Sequence, residues 1–442
     1  MTLSTSGYTV GSNQPLTHAR ILYAPITGTI TADGTGGALA ANDYTFQRWE
    51  AAIGRNSWAI TSASSQAVDA VFIAAHNLAG KTIRAWRTGA SRTNLVPYSE
   101  QIDNPAWGKS RVTVTSNATT APDGLLTADK IVETEETGSH AVVEAVSCVA
   151  EETYTASCYI KAGERTEARL RIGDDASPSS FIDDVIIDLS DGTVASPTPS
   201  AIVSDEGNGW WRVSISGATR AGTTVVTLTV QIYDDGSGDY LGDGTSGIYA
   251  WGAQIEQGEL SDYIQTEGSP VTSTKEYISP WITPADNSTI AIMTNDGGDP
   301  WQSTEYGIDL SEGNGAQIGI IRMGVALQMQ QAVFGGVEPI GLNRIVETRH
   351  SMSETGQWLG RTIQRQARRT QMDWAHLSAD WYRANFEPFS LALPQTPFGL
   401  IQNPSKMPES VAWCWTDDTP TPSNMGIKNL MQVSLGITGY LE

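Results

Sequence analysis

The feature that most restricts this chain is a grammar of short strands. Runs such as AVVEAVSCVA, TYTASCYIKAG, EARLRIG, WWRVSISG and TVVTLTVQIYD are rich in β-branched and aromatic residues, alternate in part, and stop near Gly, Asp, Asn or Pro. Turn signals recur roughly every ten to twenty residues, the spacing of an antiparallel sandwich. The same pattern holds before this zone (RILYAPI, SWAITSA, TIRAWRTG) and after it (STIAIMTND, AQIGIIRMGVALQMQ, RIVETRHSM, ESVAWCWTDD, LMQVSLGITGYL). AVDAVFIAAHNL is almost continuously apolar, which predicts a strand buried on both faces. One helix is predicted, LSADWYRANF, with Ser378 as N-cap and Glu387-Pro388 just past its end. With 43 glycines, 20 prolines and only 17% charged residues, the composition suits strands and turns. A single core rarely grows beyond about 250 residues, so 442 residues imply two to four domains. The fold class is all-β: several β-sandwiches, with at most one or two short helices in the C-terminal zone.

Charge divides the chain unevenly. Residues 93–270 hold 28 Asp and Glu against 9 Lys and Arg, a net of −19, leaving −3 of the total −22 for everything else. This acidity argues against a nucleic-acid surface, which needs clustered cations. Three cysteines, Cys148, Cys158 and Cys414, cannot frame the fold with disulfides; Cys148 and Cys158 are either a pair across a hairpin or two free thiols. The N-terminal stretch lacks a basic segment followed by an apolar core, and there is no apolar run of 18 residues. The expectation is a soluble protein made in the cytoplasm, with no membrane insertion. Linkers are predicted around Ser91–Thr93 and Gly268–Thr274.

Catalytic motifs are scarce. The five histidines form no HExxH or close pair, and GxSxG, P-loop and dinucleotide-binding patterns are missing. Two carboxylates about 5–10 Å apart would suffice for glycoside hydrolysis, so a polysaccharide-degrading enzyme stays open. The acids of ETEET, GDDASP and FIDD nevertheless read as solvated turn and edge residues, and no catalytic residue is assigned. His76, ending the apolar run IAAHNL, is expected to bond loop backbone rather than to move protons.

Five ordered segments, NLVPYSEQIDNPAW, APDGLLTADKIVET, YTASCYIKAGER, GNGWWRVSI and GDGTSGIYAWGAQIEQGELSDYIQTEG, resemble the carbohydrate-binding-like jelly rolls of bacteriophage tail and head proteins, over about residues 94–268. The flanks, RILYAPI with AVDAVFIAAHNLAG and later DNSTIAIMTND with AQIGIIRMGVALQMQ, resemble a discoidin-like jelly roll of tail-tip proteins. The final zone is similar to C-terminal regions of tail-tip or baseplate proteins of long-tailed phages and prophages. The resemblance implies one jelly roll inserted in a loop of another: a discontinuous domain of 1–92 with 271–330, an inserted carbohydrate-binding-like domain of 93–270, and a C-terminal assembly domain of 331–442. It further implies a non-enzymatic virion component at the tail tip or baseplate, a homo-oligomer in contact with other tail proteins and with host surface polysaccharide. The alternatives are a purely structural decoration without glycan binding and the envelope-degrading enzyme above.

Sugar sites pair an aromatic plate with polar side chains that fix orientation. Trp210 and Trp211 are neighbours on one strand and must face opposite ways, one to the core and one outward. Tyr233 and Tyr240 flank an acidic loop and are the better candidates for exposure; Trp251 is expected in the core, and Trp107 and Tyr98 at the sandwich edge. The loop YDDGSGDYLGDGTSG gathers Asp234, Asp235, Asp239 and Asp243 among glycines, either a Ca²⁺ site or a series of solvated Asp-Gly turns. In the C-terminal zone Arg344, Arg349, Arg361, Arg365, Arg368, Arg369 and Arg383 mix with Trp358, Trp374 and Trp381. Strand alternation sets Arg361, Ile363, Arg365, Ala367 and Arg369 on one side, so Trp358, Arg361, Arg365 and Arg369 are the assembly-interface candidates, with an acidic partner such as a neighbouring copy.

Overall fold

The computed structural model describes residues 3–5, 8–10, 17–175, 180–196, 200–284, 288–295, 297–333, 335–340, 343–416, 418–426 and 429–440. Part of the N-terminal stretch read above for a leader lies outside the described residues. The chain is all-β apart from short helical pieces, and it forms two compact units: Met1–Thr88 with Tyr277–Glu442, and Gly89–Glu276 between them in sequence.

The inserted unit is a sandwich of two antiparallel sheets. One runs in the order Val112–Thr119, Ala128–Glu133, Gly247–Gln257, Thr153–Ala162, Trp210–Ala218, Ile202–Gly207. The other runs Val194–Ser196, Ser180–Asp188, Glu167–Asp174, Val225–Tyr233, Thr137–Ser147. Alternate residues point inward, so Ala156, Cys158 and Ile160 meet Leu170, Ile172, Leu228 and Val230 in one core. Each Ile, Leu or Val among them contributes about 1.5–3 kcal/mol on burial. Glu144 breaks the pattern: it stands between Val142 and Val146 on an inward-facing register, 5% exposed, with Oε2 unbonded. Burial pushes its carboxyl up to about 7, and the charge of Lys109 offsets only part of that.

The two ends of this unit are tied together. Buried Asn94 donates to the Ala253 and Ile264 carbonyls and accepts from the Val96 and Ile255 amides. Thr266 donates to the Val96 carbonyl, and the Gly268 amide to that of Pro97. A domain whose first and last segments meet in this way can occupy a loop of another domain. The predicted linkers fall largely on strands: Ser91–Thr93 lies in Ile83–Asn94 and the second linker from Val271 onward in Val271–Tyr277, and the two strands are neighbours in one sheet. Their small polar residues resembled loop composition, but edge pairing tolerates Thr and Ser.

The other unit is layered. The sheet containing Asn56–Val68, Trp301–Leu310 and Ile83–Asn94 packs on the sheet containing Ala70–His76, Ser288–Ile292 and Gln317–Gly324 through Trp58, Ile60, Tyr306, Ile308, Val71 and Ile73. Ala70–His76 is buried along its whole length, since Ala70, Phe72 and Ala74 enter a second core with Ile290, Ile401, Val411 and Trp413. That second core joins the middle sheet to a third, which contains Phe398–Asn403, Met407–Trp415, Leu430–Gly439 and Trp358–Ser378. Arg20–Leu22 also pairs into the third sheet, against Phe398–Asn403. Residues 331–442 therefore do not stand apart from the first 88: a shared core and an N-terminal strand bind them into one unit. Short strands exchanged between sequence-distant zones leave no compositional boundary, which is why the sequence suggested a separate domain.

The outer side of the third sheet is covered by the helical segment Ala379–Ala392, through Phe386, Phe389 and Trp374. Ser378 caps it, its Oγ accepting from the Trp381 amide at 3.2 Å. It does not end at Pro388. A π-helical turn, Tyr382–Phe386, precedes the proline, which then sits in the first turn of Glu387–Ala392, where its missing N–H removes no bond. All three cysteines are free thiols, so the Cys148–Cys158 pairing does not form; burial drives the Cys158 thiol up to about 12.

Candidate functional site

The acidic loop is a closed network. Glu133, buried on its strand, accepts two bonds from Arg165 (3.0 Å from Nε, 2.6 Å from Nη2), one from the Tyr240 hydroxyl at 2.6 Å and one from the Asp243 amide at 2.9 Å. Burial alone would raise the Glu133 pKa, but Arg165, Tyr240 and the amide outweigh it and hold the carboxyl below its usual range. Asp234 accepts from Arg165 Nη1 at 2.6 Å. Asp243 closes its own turn, accepting from the Thr245 and Ser246 amides at 2.7 Å and from both hydroxyls, which depress its pKa. Asp235 sits at the turn with φ 46° and Asp239 is exposed on its short strand. Among the described residues no three His, Cys, Asp or Glu side chains are grouped to hold a metal ion. The composition that suggested Ca²⁺ is here spent on an arginine and on Asx-type turns.

The four aromatic candidates are also committed. Trp210 is 1% exposed and donates to the Thr120 carbonyl at 3.0 Å. Trp211 takes the opposite face, as alternation requires, but it packs against the core and donates to the Leu189 carbonyl. Gly192, with φ 78°, lies against its ring, and a Cβ there would approach within 2.4 Å. Tyr233 is buried and its hydroxyl accepts from Arg169 at 3.1 Å; Tyr240 is half-buried, 4.7 Å from the ring of buried His140. Tyr233 and Tyr240 are thus not exposed plates: loop-flanking tyrosines were drawn inward because their hydroxyls found charged partners. Trp251 and Trp107 are buried, Trp107 donating to the Tyr98 carbonyl. His76 is buried with its Nδ1 accepting from the Leu78 amide at 3.4 Å, and burial lowers its pKa to about 4.

A different face gathers aromatic and cationic groups. On the outer side of the Trp210–Ala218 sheet, register places Lys130, Tyr249, Lys161 and Trp210 in one row across four strands, and Trp251, Tyr159 and Arg212 in the next. Trp210, Trp251 and Tyr159 form a buried floor with Ala121 and Ala128; Tyr249 and Tyr263 are half-exposed at its rim. The Tyr263 ring lies 4.7 Å from that of Trp251, tilted by 54°. Gly252, with φ 62°, forms a bulge just after Trp251 that returns Ala253 and Ile255 to the core side, and a Cβ there would come within 2.8 Å of the Tyr159 ring. Cations lie along this floor: Lys161 Nζ is 5.9 Å from the Trp210 ring centre, Arg212 Cζ 5.4 Å from that of Tyr159 and Lys130 Nζ 5.8 Å from that of Tyr249. Two carboxylates of the region are engaged: Glu164 with Lys130, and Glu256, whose Oε1 accepts from Gln254 and from the Ser261 amide. Sequence reading missed Lys161, Arg212, Tyr249 and Tyr263. The signal was present as same-face pairs two residues apart, Tyr159 with Lys161 and Trp210 with Arg212.

In the other unit, Arg344–Met352 and Trp358–Ser378 form a hairpin. Leu430–Gly439 pairs with the second strand only from Arg368 onward, so residues 358–367 have one strand partner. Trp358 is 64% and Leu359 65% exposed, and Met352, Ile363, Arg361 and Arg365 are exposed as well. A bulge at Ile363–Arg365 breaks the predicted one-sided stripe: Ile363 pairs with Thr348 and Arg365 with the next residue, Glu347. Arg361 and Ile363 therefore share one face, and Arg365, Ala367 and Arg369 the other. Arg365 meets Glu347 at 2.6 Å, and Arg369 lines a cleft of about 580 Å³ with Glu338, Asp418 and Ser434.

No family model matches the chain, and no curated protein matches it. Among solved structures it is similar to the enzymatically active domain of bacteriophage CBA120 tailspike protein 4, with 15% identity over 37% of this chain and 21% of that one, TM-score 0.26. A second is the Clostridium thermocellum endo-1,4-β-D-xylanase 10B CBM22-1–GH10 modules complexed with xylohexaose, with 12% identity over 41% and 30%, TM-score 0.24. A third is a CBM22-1 xylan-binding domain from Paenibacillus barcinonensis, with 12% identity over 40% and 99%, TM-score 0.25. The chain spans about a fifth of the first of these and under a third of the second.

Proposed function

We propose that the chain is a non-catalytic component of a phage particle, at the tail tip or baseplate, whose inserted sandwich binds host-surface glycan on the outer face of the Trp210–Ala218 sheet. One observation carries the binding role: two half-exposed tyrosines, Tyr249 and Tyr263, rim a rigid aromatic floor with Lys161 and Arg212 beside them. A pyranose offers a C–H face to the rings and hydroxyls to the donors, and pre-packed aromatics spend little entropy in receiving it.

The hairpin suits attachment. A two-stranded ribbon exposed on both faces is marginal alone in water, and its free edges and apolar residues invite a partner. Its arginines favour an acidic surface, which a second copy of this chain carries. Sedimentation of the full chain should show a concentration-dependent oligomer that Trp358→Ala weakens.

The binding test is a glycan array and whole-cell binding with the full chain. Binding that falls with Tyr249→Ala and Tyr263→Ala supports the reading; two blank results reduce the chain to a structural decoration. Sugar released from envelope polysaccharide would make it an enzyme.

A further inference from the structure

The inserted unit is the acidic part of the chain, yet its cations are not distributed evenly among its acids. Of the nine Lys and Arg in residues 93–270, Lys130 pairs with Glu164, Arg165 with Glu133 and Asp234, Arg169 with Asp184, and Arg220 with Asp174. Arg111 is 3.8 Å from Glu136, Arg171 lies in the field of Asp184 and Asp239, and Lys109 donates to three backbone carbonyls. Lys161 and Arg212 remain. Among the described residues neither has an ion pair, although 28 carboxylates share the module with them. Both are half-buried, and Arg212 keeps its Nε buried and unbonded while Nη2 reaches the Ser261 carbonyl at 2.8 Å.

These two are also adjacent. Lys161 pairs in register with Trp210, and Tyr159 with Arg212, so the cations are diagonal cross-strand neighbours on the outer face, a separation of about 7–8 Å at Cα. Leaving two positive charges partly desolvated without an acid is unfavourable unless something supplies one. From this pair, and resting on the glycan-binding reading above, we infer that the outer face recognises an anionic glycan, with the acid group between Lys161 and Arg212 and the sugar ring against Tyr249 or Tyr263. The module's net −19 does not prevent this. Exposed charges farther than about 8 Å are largely screened at physiological salt, whereas a contact pair is not. The shared chemistry is an oxyanion on a sugar chain, either a uronic carboxylate or a phosphodiester.

The test uses the full chain and immobilised bacterial capsular polysaccharides that contain uronic acid, each also with its carboxyls chemically reduced to alcohols, together with a poly(glycerol phosphate) teichoic acid. Native acidic chains should bind, the reduced forms should bind about tenfold less, and Lys161→Gln or Arg212→Gln should cost about tenfold each. Among the described residues Lys161 makes no hydrogen bond, so K161Q should unfold close to the wild-type midpoint and remain interpretable if R212Q does not fold. Binding of teichoic acid alone assigns the oxyanion to phosphate and also supports the inference. Equal binding of native and reduced polysaccharide overturns it while sparing the sugar-binding reading, as does wild-type affinity in both variants. If no acidic chain binds, the inference fails, and neutral glycans that still depend on Tyr249 and Tyr263 would show that the broader reading survives.

Discussion

Two polar, aromatic regions of the inserted sandwich differ in how fully their charges are answered. At the acidic loop, Glu133, Arg165, Tyr240, Asp234 and Asp243 satisfy one another. On the outer sheet face, Lys161 and Arg212 lie against rings, with no acid paired to either among the described residues. The loop has the composition of a site and the bonding of a structural staple; the face has ordinary composition and unspent charge. Density of functional-looking residues is therefore a poor guide, and what separates the two regions is whether each group's interactions are already made within the fold.

The comparison breaks most visibly by removing Arg165. Arg165→Met leaves buried Glu133 without its cation, held only by Tyr240 and the Asp243 amide, which should cost about 3–5 kcal/mol in urea unfolding, and Glu133→Gln in the same chain should restore part of it. If Arg165→Met changes glycan affinity without changing stability, the loop is a binding site after all.

On the face, Tyr249→Ala should lower glycan affinity by about tenfold, about 1.4 kcal/mol, with little effect on the unfolding midpoint. A stability loss without a binding change would make Tyr249 part of the packing alone.

Glu144 offers a control in the core, away from both regions. Its folded pKa of about 7 lies above its ordinary value of 4.5, so the neutral acid is favoured in the native state. Its contribution is full below pH 4.5 and is lost as pH rises through 7. Glu144→Gln should match wild type at pH 4 and exceed it by about 1–3 kcal/mol at pH 8, measured by urea midpoints. A variant less stable than wild type at pH 8 would mean that the carboxylate has a partner in solution.

The smallest effect is expected from calcium. Because Asp234 and Asp243 are already engaged, millimolar Ca²⁺ should leave the thermal midpoint and the calorimetric baseline unchanged. Heat that disappears in Asp235→Asn would reopen the metal reading.

Local rules carried the fold a long way. Strand grammar, the doubly buried run through Ala70–His76, the opposite facing of Trp210 and Trp211, the burial of Trp251 and the Ser378 cap all follow from alternation, apolar content and end chemistry. What failed was anything set by pairing at a distance. Arg20–Leu22 joins a sheet whose other strands lie beyond residue 326, and no composition announces that. The bulges at Gly252 and at Ile363–Arg365 decide which side chains share a face, and a one-residue shift reverses the answer. The site was legible only in halves: Tyr159 with Lys161, and Trp210 with Arg212, each on its own strand. Their meeting depends on register.

The central claim is that the binding surface is the outer sheet face and not the acidic loop. Hydrogen exchange of the full chain, free and saturated with a bound capsular polysaccharide, tests it most directly. Protection should appear in peptides covering 159–162, 210–212, 249–251 and 260–264. Protection confined to 233–245, with those peptides unchanged, would contradict it.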